Sequence, residues 1–146
     1  MSYQVEVAES ICSALYRMDF ADFLGERDEP YNCPMPEESR CAYFHLGESP
    51  KDMRVTVIRP SKKEAVYVKM EWRNYFADGR NPLKGEQTLT VTTYATSQDE
   101  CFKAAEQVVL KILETYREVL SEEGVAGKIA DLVQPEETND NAAFGR

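Results

Sequence analysis

The sequence predicts an α+β domain, a two-layer sandwich. An N-terminal and a C-terminal helix lie on one face of an antiparallel sheet of three to four strands. Three observations predict it. Residues 97–120 carry a long apolar stripe at helical spacing behind a helix-start signal. Residues 4–18 carry a second, shorter stripe. Between them run segments in which apolar and polar residues alternate with period two.

The C-terminal helix has the clearest signature. Ser97 stands three residues before Glu100, the spacing of a capping box that gives two orphan amides a partner. Phe102, Ala105, Val108, Val109, Ile112, Leu113, Tyr116, Val119 and Leu120 then share one face, while Lys103, Glu106, Lys111, Glu114 and Arg117 take the other. Leu110 falls on the polar side. In the N-terminal helix the stripe is Ala8, Ile11, Cys12, Leu15 and Met18, and Glu6 and Glu9 suit the positive end of the helix dipole. Gly25 is read as its stop signal, and Phe20, Phe23 and Leu24 are expected to fold back onto the core.

Residues 26–40 read as a loop, because three prolines and a run of acids leave no periodicity. Strands are expected at 41–46, at 53–58, at 66–73 and at 87–95. Val66, Val68, Met70 and Trp72 face one way, and Tyr67, Lys69, Glu71 and Arg73 the other. Each alternation implies one buried and one wet face, and strands in this order pair most simply as a meander. After Leu120 only Val125, Ile129, Leu132 and Val133 suggest a helical turn, and the stretch from Pro135 has the composition of a disordered tail. The domain is therefore placed at 1–121, with 122–146 as a short turn and acidic tail.

A chain of 146 residues is long enough for one hydrophobic core. It has no apolar run near the roughly 18–20 residues that span a bilayer. Its polar, acidic N-terminus does not read as a signal peptide, which predicts a cytoplasmic origin. The net charge of −9 argues against non-specific nucleic-acid binding. The charge is also uneven: residues 1–38 hold nine acids against Arg17 and Arg27, whereas residues 39–84 hold ten bases against five acids. Such a reversal is either two solvated faces of mixed charge or a means for one subunit's acidic end to meet a neighbour's basic strands.

No residue pattern points to catalysis, a cofactor or a metal. The only histidine, His45, lies four strand positions from Cys41, about 13 Å at about 3.3 Å per residue, too far for proton transfer. Cys33, Cys41 and His45 lack the close pairs of a zinc site. Cys12 and Cys101 lie in apolar stripes. Cys33 and Cys41 are either free or bridged, the bridge requiring Cα atoms within about 7 Å. The GRNPLKG stretch does not follow the phosphate-loop order. One cluster mixes bases with aromatics: Trp72, Arg73, Tyr75, Phe76, Arg80 and Lys84. Its possible meanings are core aromatics flanked by solvated bases, a protein interface, or a stacking surface for single-stranded nucleic acid. Together with Leu110 it forms the candidate interface.

The helix–strands–helix order resembles two families. In the double-stranded RNA-binding domain, lysines opening the final helix grip phosphates; here that place is taken by Gln98, Asp99 and Glu100, which repel them. The layout is also similar to the tail-terminator and neck proteins at the head–tail joint of tailed bacteriophages. These open with an amphipathic helix, pass through a proline-bearing loop into a twisted sheet, and close with a strand and helix like residues 87–113. That resemblance implies a non-enzymatic virion subunit, assembled in the host cytoplasm into a ring with other structural proteins. Its small size and acidity also fit a secretion-type chaperone or an inhibitor that binds a protein partner.

Overall fold

A computed structural model describes residues 2–32, 36–48, 51–74, 83–94 and 97–120. The expected tail at 122–146 lies outside them, as does Cys33. The order is α1 (Gln4–Tyr16), β1 (Ala21–Asn32), β2 (Pro36–Glu48), β3 (Lys51–Pro60), β4 (Ala65–Asn74), β5 (Leu83–Thr92) and α2 (Gln98–Thr115), which widens into a π-helical turn at Tyr116–Leu120. All five strands pair antiparallel in sequence order. The fold is α+β, with both helices on one face of a meander, and the sheet has five strands rather than three or four.

The additional strand is β1. Of residues 26–40, expected as a loop, 26–32 and 36–40 form much of a long β1–β2 hairpin whose register runs from Ala21↔Leu46 to Asn32↔Pro36. Its sequence hides it for physical reasons. As an edge strand β1 tolerates Pro30, and its acids pair with a base across the ladder instead of packing on a core: Arg40 holds Glu26 at 2.7 Å and Asp28 at 3.3 Å. A bulge between Phe23 and Gly25 also breaks the alternation, and Gly25 takes the φ of +126° that only glycine adopts freely.

The helix face of the sheet holds the main core. Phe44, Leu46, Met53, Val55, Val66, Val68 and Met70 are fully buried there beneath Val7, Ile11, Leu15 and Ile112. Gln4 fixes the start of α1 by donating from its side-chain amide to the carbonyls of Pro60, Lys63 and Ala65, at 2.8–2.9 Å. Tyr3 N donates to Thr93 O at 3.0 Å, which ties the same end to β5. At the other helix, Ser97 Oγ accepts from Glu100 N at 3.2 Å, the expected cap.

The opposite face is not uniformly wet. Cys41, Ile58 and Tyr67 are buried there, with Tyr31, Tyr43 and Ala65 packed round them. Lys69 Nζ on β4 lies 5.8 Å from the centre of the Tyr31 ring on β1. Three strand spacings in a flat sheet come to about 14 Å, so the β1–β2 hairpin curls over this face.

Candidate interaction surfaces

The cross-strand register assembles a charged cavity of about 490 Å³ at one end of the face away from the helices. His45, Arg54, Glu71 and Glu86 stand side by side on four adjacent strands, and Asp52, Arg73 and Lys84 form the next row. Of the candidate interface residues, Arg73 and Lys84 meet at this cavity; Trp72 borders it, but its indole lies on the other face, packed against the main core. Tyr75, Phe76 and Arg80 lie outside the described residues. Leu110 is 56% exposed, as its place on the polar side of the helix requires, and lines neither this cavity nor the one described below.

This end of the sheet is less basic than the linear sequence suggests. Arg54, Arg73 and Lys84 share the cavity with Asp52, Glu71 and Glu86, so three cations face three carboxylates. His45 is half-buried, with Nε2 3.7 Å from Asp52 Oδ2. Lys69, just beyond, carries a raised pKa: burial pulls it down, but Tyr31, Glu71 and Glu86 together outweigh that pull. Trp72 packs its indole over Gly85, where an added Cβ would sit 2.5 Å from the ring. Gly85 therefore belongs to β5, and the strand begins at Leu83 rather than at 87.

A second surface lies on the helix face, between α1 and β1. Phe20, Phe23 and Leu24, expected to fold onto the core, are 39%, 43% and 52% exposed, and Tyr16 is 54% exposed. They are nevertheless ordered against one another. Tyr16 sits 5.2 Å from Phe23 and 5.3 Å from Phe44, and Phe20 stacks on Tyr116 at 5.0 Å. From this aromatic end a groove of about 540 Å³ runs back along α1, floored by Ala8, Cys12, Ala42 and Val57. Glu9 stands on its helix wall, Glu26 and Asp28 on its β1 wall, and Arg40 and Arg59 between them. The signal that could have found this surface is the acid-rich α1, which has no base over Gln4–Tyr16, followed at once by three large apolar residues in a polar context.

Three thiols belong to the described residues, and all are free. Burial, reinforced by Glu26 and Glu9, raises Cys12 to about 11; burial and Glu29 raise Cys41 to about 11; burial also raises Cys101. They are protonated at neutral pH, and a thiol in that state is a poor nucleophile. Among the described residues no three histidine, cysteine or carboxylate groups converge as metal ligands, and no helix is long and apolar enough to cross a membrane. The first turn of α2 presents Asp99 and Glu100, acids where an RNA-gripping helix needs bases. No protein-family model, curated protein or solved structure matches the chain.

Proposed function

We propose that this chain is a non-enzymatic interaction protein, a subunit that joins copies of itself and other structural proteins into an oligomeric ring, as at the head–tail joint or tail end of a bacteriophage. The observation that carries the reading is the unlikeness of the two sides of the sheet. The β1 side presents ordered, exposed aromatics among carboxylates. The β5 side presents threonines, Tyr94 and the exposed Leu110 of α2. Unlike sides favour head-to-tail contacts over a two-fold pairing, and head-to-tail contacts close into rings when their rotation permits. The acids of β1 also oppose pairing of two β1 edges, since like charges would meet across the new ladder.

Sedimentation equilibrium and particle images of the full chain, in low and high salt, test the proposal. A closed multimer is expected, weakened by the double charge reversal Arg73→Glu, Lys84→Glu. A chain that stays monomeric at every concentration, alone and with its native partners, overturns it. A second reading, an acidic chaperone-like protein that binds a partner, draws on the same exposed groove and predicts a small fixed stoichiometry instead.

A further inference from the structure

We infer that the groove between α1 and β1 is a docking site for an amphipathic helix of another protein, one with lysine or arginine on both flanks of its apolar face. The inference goes beyond the ring, because its occupant is not a copy of this chain. Helix α1 packs on α2 and, among the strands, most on β3, with β1 and β4 touched equally and less; α2 lies on β5 and α1, so neither helix is centred over β2. Ala42 and Val57, themselves only 7% and 2% exposed, form the bottom of the groove beside the exposed Tyr16 and Phe23. From Ala8 to Tyr16 the groove follows α1 for about 12 Å, or roughly two helical turns. A third helix laid there would continue the layer and present small apolar residues to the floor.

The walls set the sign of the partner. Of the carboxylates lining the groove, Glu9 stands on α1, which carries no base, and Glu26 and Asp28 stand on β1, both held by Arg40. With Arg59 included, three carboxylates line the groove with two guanidinium groups, and the acids stand on both walls. This chain does not itself offer the occupant. Helix α1 is acidic, the outer face of α2 alternates in sign, and residues 122–146 carry six carboxylates against Lys128 and Arg146. Electrostatic complementarity therefore points to a separate, basic helix.

The test uses an 18-residue amidated peptide with a leucine–alanine face, lysine flanks and a terminal nitroxide, together with its glutamate-for-lysine isomer. Binding to the full chain is measured by anisotropy, and the site by paramagnetic broadening of amide signals. The lysine peptide is expected to bind at least tenfold more tightly than the isomer, with broadening confined to Ala8–Tyr16 and the facing part of β1 and β2. Ser13→Trp, which fills the groove from an exposed position, should weaken binding at least tenfold, and Glu9→Lys should cut the preference for lysine severalfold. Equal binding of the two peptides, broadening elsewhere, or indifference to Ser13→Trp overturns the inference. So does binding seen only after removal of 122–146, which would make the tail the occupant, or groove signals that move with protein concentration alone, which would make it a second copy. Except for the second-copy outcome, which sedimentation would also register, these outcomes leave unchanged the sedimentation mass on which the ring proposal rests, so the two fail separately.

Discussion

The middle of the sheet and its β1 flank are built from similar residues put to different uses. Phe44 on β2 and Phe23 on β1 are register partners with ring centres 5.3 Å apart, yet Phe44 is fully buried and Phe23 is 43% exposed. The helices cover Phe44 and Leu46 on β2 as well as β3–β5, and leave Phe23 on the charged outer strand partly bare. Ring contacts alone thus do not make a core; a second layer does, because the hydrophobic contribution scales with apolar area removed from water. The flank keeps its aromatics ordered through contacts with each other, and that combination of order and exposure is what a binding surface requires.

The sharpest way to break this comparison is to truncate both partners. Phe44→Ala should destabilise by about 3–5 kcal/mol, and Phe23→Ala by less than about 1 kcal/mol, in urea unfolding. Similar losses at the two sites would mean that the flank is covered in solution. Next in size is a pair within α2. Ile112 is fully buried and its neighbour Lys111 pairs with Glu114, at 3.6 Å on the surface. Ile112→Ala should cost about 2–5 kcal/mol and Lys111→Ala less than about 0.5 kcal/mol; equal effects would reverse the assigned face.

A smaller effect is expected at Gly85. An alanine there drives its Cβ into the Trp72 ring, and because the indole is rigid the strand or the ring must shift. Gly85→Ala should lower stability by about 1–3 kcal/mol and red-shift the fluorescence of the single tryptophan. An unshifted spectrum with native stability would place the ring elsewhere.

The same contrast explains what was legible in the sequence. Helix α2 announces itself because Ser97 and the stripe ending in Tyr116 agree, and β3 and β4 do so because their alternation faces one deep layer. Strand β1 does not, since Glu26, Asp28 and Pro30 satisfy an edge ladder rather than a core, and the bulge at Leu24 erases the period. Residues 83–86, ahead of the strand expected from 87, carry no strand signal because Lys84 and Gly85 offer nothing apolar, although Gly85 is there to admit the Trp72 indole. Of the candidate interface, Arg73 and Lys84 do come together while the Trp72 indole turns to the core, and the carboxylates that neutralise the site arrive through cross-strand register, which spacing along the chain does not encode. The groove beside α1 went unread for a related reason: Phe23 and Leu24 look like core residues to any pattern that assumes a layer above them.

The last prediction has no effect at neutral pH and develops only in alkali. Cys12 lines the groove floor on the flank, and Cys41 sits in the small cluster on the opposite face; both are raised from 9.0 to about 11. A raised thiol pKa means that the folded state favours the protonated form. The contribution to stability is therefore complete below pH 9 and is lost as pH rises from 9 towards 11, where the unfolded chain releases protons that the native state retains. The two sites separate under alkylation. Cys41 is fully buried and Cys12 half-buried beside an open groove. In the native protein iodoacetamide should modify Cys12 before Cys41, with a rate that climbs up to about pH 11 instead of levelling off near 9. A basic helix seated in the groove should slow modification of Cys12 and leave Cys41 unchanged. Modification of Cys41 first, or a Cys12 rate that levels off by pH 9, would show that the groove floor is not the desolvated, acid-rimmed surface described above.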